Sequence, residues 1–120
     1  MKIAVTIQGE TPDADVDSRF GRAKNFLLWD TDAQDGRVVS NTQNLQATQG
    51  AGIQAAQTVA SLEPDVLLTG HCGPKAFRVL SEAGIAVVLG QSGSAKEAIE
   101  RYCNGESRAA ESADVEGHWA

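Results

Sequence analysis

Asp65-Val66-Leu67-Leu68-Thr69-Gly70-His71-Cys72-Gly73-Pro74-Lys75-Ala76-Phe77 is the stretch from which the rest of the chain can be read. Val66, Leu67 and Leu68 follow Pro64 as a short apolar run, the pattern of a strand buried on both faces. Gly70 and Gly73 then free the backbone, and Pro74 suits the first turn of a helix, where its missing N–H would have had no partner anyway. His71 and Cys72 stand in the turn, adjacent side chains that can both bind soft metals. Two readings stay open: a ligand-binding turn, or two residues that simply fill a tight loop.

Upstream, Lys2-Ile3-Ala4-Val5-Thr6-Ile7 is rich in β-branched residues and predicts a central strand ending near Gln8-Gly9. Glu10 to Asp17 is polar, with carboxylates at Glu10, Asp13, Asp15 and Asp17. It reads as a solvated loop, because the fixed offsets and glycine of a calcium loop are missing. Ser18-Arg19-Phe20-Gly21-Arg22-Ala23 then sets two guanidinium groups around an aromatic ring and a glycine in an otherwise acidic segment. Asn25 to Asp32 and Arg37 to Thr42 predict a hairpin turning at Gln34-Asp35-Gly36, since Asp-Gly is a favoured hairpin dipeptide. Gly50-Ala51-Gly52 opens a helix to about Leu62, with Ile53, Ala56, Val59 and Ala60 on its apolar face.

Downstream, the helix after Pro74 carries Ala76, Val79, Leu80 and Ala83 and stops at Gly84. Ile85 to Leu89 predicts another buried strand and Gly90-Gln91-Ser92-Gly93 another turn. Ser94 with Glu97 has the spacing of a capping box, opening a third helix that ends near Gly105. Residues 1–105 form a single domain on this reading. Residues 106–120, small and polar until Trp119, predict a mobile tail.

The 120 residues suffice for one core without metal or disulfide staples. Cys72 and Cys103 have no CxxC spacing, and neither a signal peptide nor a long apolar segment is evident. A soluble, cytoplasmic protein in a reducing compartment is expected. With 16 acidic and 10 basic residues the net charge is −6, which argues against nucleic acid or anionic membrane as partners. An anion would have to be drawn by a local feature.

The element order predicts an α/β fold with a mixed five-stranded sheet in the order 3-2-1-4-5. It is antiparallel at strand 2 and has right-handed crossovers in its second half. The parallel strands then end along one edge, where ligands of open α/β sheets bind. Ser18–Arg22, the Gly70–Gly73 turn and the turn at Gly93 converge there, with the helix start at Gly50 and Gly52 nearby. Helix starts offer unpaired N–H groups and a partial positive charge, and Arg19 and Arg22 add full ones, so the collection reads as an anion pocket. A purely steric need for the glycines is the plain alternative.

Three of these segments resemble one family. Ser18-Arg19-Phe20-Gly21-Arg22-Ala23 resembles the Ser-x-His-Phe-Gly-Arg-Ala segment of the dinitrogenase iron-molybdenum cofactor biosynthesis proteins, such as NifX, NifY and the NifB C-terminal domain. Gly50-Ala51-Gly52 is similar to their glycine helix start, and Val66 to Ala76 resembles their strand followed by Gly-x-x-Gly-Pro-x-Ala. The resemblance covers residues 1 to about 105 and implies a ribonuclease H-like fold and a protein that binds or carries an anionic metal–sulfur cluster rather than an enzyme. A stand-alone acidic domain of this length resembles most the orange-protein branch of sulfate-reducing bacteria, which implies a molybdenum–copper sulfide cluster. An iron–molybdenum or iron–sulfur precursor is the alternative cargo. The implied site comprises Ser18, Arg19, Phe20, Gly21, Arg22, Gly50, Gly52, Gly70, His71, Cys72, Gly73, Pro74 and Gly93. In it Phe20 walls the pocket against water, and His71 or Cys72 can ligate copper or iron. Arg19 departs from the family pattern: histidine can ligate a metal, whereas arginine only donates, which shifts the expectation from ligation toward electrostatic holding. A protein partner for delivery and a monomer or weak dimer complete this reading.

Two other classes stay open. A ribonuclease H-like fold first suggests a two-metal nuclease, but the strands Lys2–Ile7 and Val66–Leu68 carry none of the carboxylates that chemistry needs. Cys72 at a helix start beside His71 could act as a nucleophile, though no third orienting group is evident. An interaction module would use Trp29 or the Gly117-His118-Trp119 segment as an aromatic anchor, and His118 could swing over the pocket as a further ligand. Cys103 on the third helix reads as core.

Overall fold

A computed structural model describes residues 1–114. Five strands, β1 (Lys2–Ile7), β2 (Asn25–Asp30), β3 (Asp35–Ser40), β4 (Val66–Leu68) and β5 (Ala86–Val88), form one open sheet in the order β3-β2-β1-β4-β5. β2 runs antiparallel to β1 and β3, while β1, β4 and β5 are parallel. Helices α1 (Ala51–Leu62), α2 (Pro74–Glu82) and α3 (Ala95–Cys103) cover the sheet. The mixed α/β architecture and strand order are those the sequence implies. Among the described residues, no helix is long and apolar enough to cross a membrane.

β1 is central because both its faces are covered. Side chains alternate across a strand. Ala4 therefore joins Phe26, Leu28, Leu67 and Val87 in a layer with Ala55, Ala56 and Val59 of α1 and Ala76 and Leu80 of α2. Ile3, Val5 and Ile7 join Leu27, Val66, Leu68 and Val88 in the layer under Ala95, Ala98 and Ile99 of α3. With water on neither side, β4 has no polar alternation and reads as Val-Leu-Leu. Each fully buried side chain of the size of Ile3 or Leu67 contributes about 1.5–3 kcal/mol.

The hairpin turns earlier than the Asp-Gly dipeptide suggests. β2 ends at Asp30, which pairs with Asp35, so the loop is 31–34. Gln34 takes the left-handed conformation, with φ 54°. Asp30 Oδ1 accepts the N–H groups of Asp32 (2.9 Å) and Ala33 (3.3 Å), a side-chain-built turn. Gly36 lies inside β3, where a Cβ would stand 2.9 Å from the Trp29 ring and 2.8 Å from the Leu28 carbonyl oxygen. Its glycine serves packing rather than turning.

Two further expectations change. The 10–17 loop is not solvated throughout, because Val16 bridges Ile7, is buried, and donates its N–H to Gly93 O at 2.9 Å. Cys103 is exposed. The apolar stripe of α3 runs Ala95, Ala98, Ile99 and on to Tyr102, which leaves position 103 outside it. Residues 106–114 run back along the body: Ala110 N–H donates to Val87 O (2.7 Å) and Asp114 N–H to Cys72 O (3.3 Å). Small polar residues held by backbone bonds leave no period to read. Gly117, His118 and Trp119 lie outside the described residues.

Candidate functional site

The loops that leave the carboxyl ends of β1, β4 and β5 are stitched together by their backbones. His71 N–H donates to Ser18 O at 2.7 Å and Phe20 N–H to His71 O at 3.1 Å, making Arg19 and His71 partners in a short parallel bridge. Gly90 N–H donates to Gly70 O (2.8 Å) and Gln91 N–H to Thr69 O (3.1 Å). Beneath them the buried hydroxyls of Thr6 and Thr69 lie 2.8 Å apart, and that of Thr6 is 2.9 Å from Asp17 O. A Cβ on Gly70 would stand 2.5 Å from Ser18 O and 2.6 Å from Ser18 Cα. The glycine here lets one loop approach the other.

This bridge decides which side chains face out. Partners across a bridge point to one side and their successors to the other. Arg19 and His71 therefore project together, Arg19 exposed and the His71 side chain 45% exposed. Phe20 and Cys72 turn together into the layer under α1 and α2, both fully buried. Two readings are corrected by this. Phe20 packs on Phe26, ring centroids 6.0 Å apart, rather than walling a pocket. The Cys72 sulfur lies 3.6 Å from Gly73 O, and burial, with the Asp114 charge adding, pushes its thiol up to about 12. The thiolate is the nucleophile in cysteine chemistry, so burial that keeps the Cys72 thiol protonated argues against that role.

Arg22 is exposed at the end of a single 3-10 turn, Phe20–Arg22, that packs on α1. The Gln43 amide nitrogen donates to Gly21 O (2.9 Å) and Ala51 O (3.1 Å), and that of Asn41 to Ala23 O (2.8 Å), tying this turn to the start of α1. Beside it lies a groove of about 390 Å³ lined by Gly21, Arg22, Asn41, Gln43, Leu45 and Ala51. Among the described residues neither the Arg19 nor the Arg22 guanidinium has an ion pair or a hydrogen bond, while the Arg19 N–H donates to Asp17 Oδ1 at 3.0 Å. Gly50 and Gly73, the residues before α1 and α2, give those helices no side-chain cap, which leaves the orphan N–H groups to other partners. α3 differs. Ser94 and Glu97 form a full capping box, and the Glu97 carboxyl is held below its ordinary value by the Ser94 N–H. Gly93, with φ 78°, packs beside that carboxylate and serves the cap. A helix start already holding its own anion leaves Gly93 little to offer another.

Sequence reasoning missed Asp114. Its Oδ2 lies 2.8 Å from His71 Nδ1, and its Oδ1 accepts the Cys72 N–H at 3.0 Å. Burial would raise its carboxyl, but the hydrogen bonds from Cys72 N–H and His71 prevail and hold it below the usual carboxylate value. No signal in a small polar tail could have found it. Among the described residues no three His, Cys, Asp or Glu side chains gather to hold a metal ion. The donor set is cationic side chains and backbone N–H groups, which fits an anion whose metals already carry their ligands.

An open-sheet α/β domain with arginines unpaired among the described residues, and with helix starts whose own N-cap residues are glycines, at its carboxyl edge is thus the class of protein at hand. Within it, the chain belongs to the dinitrogenase iron-molybdenum cofactor family, whose model matches residues 1–105. The chain is similar to the apo form of the orange protein from Desulfovibrio gigas, at 39% identity and a TM-score of 0.89 over 95% of this chain and 96% of that one. The solution structure of a candidate NifB protein from Thermotoga is 27% identical, with a TM-score of 0.79 over 97% and 98% of the two chains. A protein of Methanocaldococcus jannaschii is 25% identical over 108 residues, 88% of this chain and 87% of its own.

Proposed function

We propose that the protein is a non-catalytic carrier of an anionic metal–sulfur cluster, a molybdenum–copper sulfide cluster first and an iron–molybdenum or iron–sulfur precursor second. The observation that carries this is the pair of unpaired arginines beside the uncapped starts of α1 and α2, in a chain of net charge −6. Arg19 and Arg22 neutralise the cargo, and backbone N–H groups at Gly50, Gly52 and Gly73 donate to its sulfides. His71, whose Nδ1 Asp114 engages, is a side chain at this edge able to form a terminal bond to copper or iron. The family and the likeness to the orange protein support the reading. The ribonuclease H-like class, a cytoplasmic setting, a delivery partner and a monomer or weak dimer belong to it.

The nucleophile reading has little support, since the Cys72 thiol is buried and its ionisation suppressed. The test is anaerobic titration with tetrathiomolybdate and Cu(I), followed by visible absorption. Arg19→Ala with Arg22→Ala should weaken uptake about 10- to 30-fold, roughly 1 kcal/mol for each exposed charge, with the fold intact. Equal uptake by that variant would remove the arginines from the site.

A further inference from the structure

The chain already places one anion of its own at this edge. Asp114 engages the Gly70–Gly73 turn by three hydrogen bonds: Oδ2 with His71 Nδ1, Oδ1 with Cys72 N–H, and its own N–H with Cys72 O. It stands in front of α2, the helix start that lacks a side-chain cap, much as Glu97 stands in front of α3. The difference lies in the anchoring. Glu97 is part of its helix, whereas Asp114 belongs to a stretch, residues 106–114, with no residue in the core. Among the described residues, besides the Asp114 contacts, that segment is attached through the Ala110–Val87 bond, the Glu106 N–H to Arg101 O (2.9 Å), the Asn104 amide to Glu106 Oε2 (3.4 Å) and a 3.5 Å approach of Ser107 to Gln91. Segments with few buried apolar contacts are the first to detach.

We propose that residues 106–114 form a displaceable strap, in which the Asp114 carboxylate occupies the Gly70–Gly73 turn in place of the cargo and is expelled when the cargo binds. The inference rests on the carrier reading above. Arg19 and His71 share one side of their bridge, so a polyanion drawn to Arg19 arrives at the ring and the N–H that Asp114 holds. Two like charges compete for one set of donors at close range. The apparent affinity is then the intrinsic one reduced by the fraction of molecules with the strap open.

Full-length Asp114→Ala is to be titrated with tetrathiomolybdate and Cu(I) against Glu111→Ala, which removes one exposed carboxylate from the same segment without touching the turn. Asp114→Asn, which keeps the shape and loses the charge, stands in should the alanine variant not fold. The Asp114 variant is expected to bind roughly three- to tenfold tighter than the Glu111 variant. In the wild type, loading should speed hydrogen exchange at the Ala110 and Asp114 amides. Equal or weaker binding by the Asp114 variant, or unchanged protection of those amides in the loaded protein, overturns the strap while leaving the carrier standing. If neither wild type nor variants take up the thiomolybdate, the carrier reading fails and the strap falls with it.

Discussion

At the carboxyl end of β1 and β4, Cys72 is buried behind an exposed arginine and a half-exposed histidine. At the opposite end of the sheet Cys103 is exposed beside half-buried Trp29, in a groove of about 430 Å³ that Lys96, Glu100 and Asn104 also line. Both ends thus own a cysteine, an aromatic residue and charges. What separates them is orientation: a two-residue alternation at one end turns the soft side chains inward, and a helical stripe that passes by position 103 leaves the other thiol outside. The larger of the two grooves has no arginine in its lining. An open, cationic edge suits a bulky anion better than a deeper neutral groove does, because charge rather than enclosure does the holding.

The contrast predicts its largest effect in thiol reactivity. Under native conditions at pH 8, iodoacetamide should modify Cys103 and leave Cys72 slower by more than about 100-fold, since only the thiolate attacks and burial suppresses it. Comparable rates, read by peptide mass spectrometry, would mean that the Gly70–Gly73 turn opens readily. A smaller effect is expected in stability. Cys72→Ser should cost about 2 kcal/mol by placing a hydroxyl in the layer under α1 and α2, while Cys103→Ser should stay within about 0.5 kcal/mol. Urea unfolding separates the two, and Cys72→Ala should load cluster to the same stoichiometry as wild type.

The smallest effect sharpens the contrast between helix starts. Ser94→Ala should cost about 1 kcal/mol by breaking the capping box. Glu97 ionises below its ordinary value of 4.5 when folded, so its contribution is present above that value and disappears as pH falls through the lower, folded one. Alanine keeps the backbone N–H that this carboxylate accepts, so the charge is probed with Glu97→Gln, whose unfolding curves should converge with those of wild type as pH falls from 7 to 3. Parallel curves would show that the cap does not depend on the carboxylate's charge.

Much of the frame was legible because it is written locally. The apolar runs of β1 and β4, the glycine starts of α1 and α2, and the Ser94–Glu97 box each announce themselves within a few residues, and together they fix the strand order. The errors have a common physical origin in contacts between distant segments. Gly36 looked like a turn residue because its clash with Trp29 cannot be seen in the dipeptide. The inward direction of Phe20 and Cys72 is hidden in the same way, being set by the pairing of Arg19 with His71, which local sequence does not state. Asp114 was invisible for the same reason, one carboxylate in a polar tail until its partner is known.

One bond described above reaches further than the site. β5 is the outermost strand on its side of the sheet, only Ala86, Val87 and Val88, and Ala110 covers it by donating to Val87 O. Bare strand edges are templates on which other chains add a strand of their own. Were Ala110 to lift away, a short apolar edge would open a few residues from the turn that follows β4. A recipient protein could then recognise, by backbone pairing alone, a molecule whose strap has already left its place.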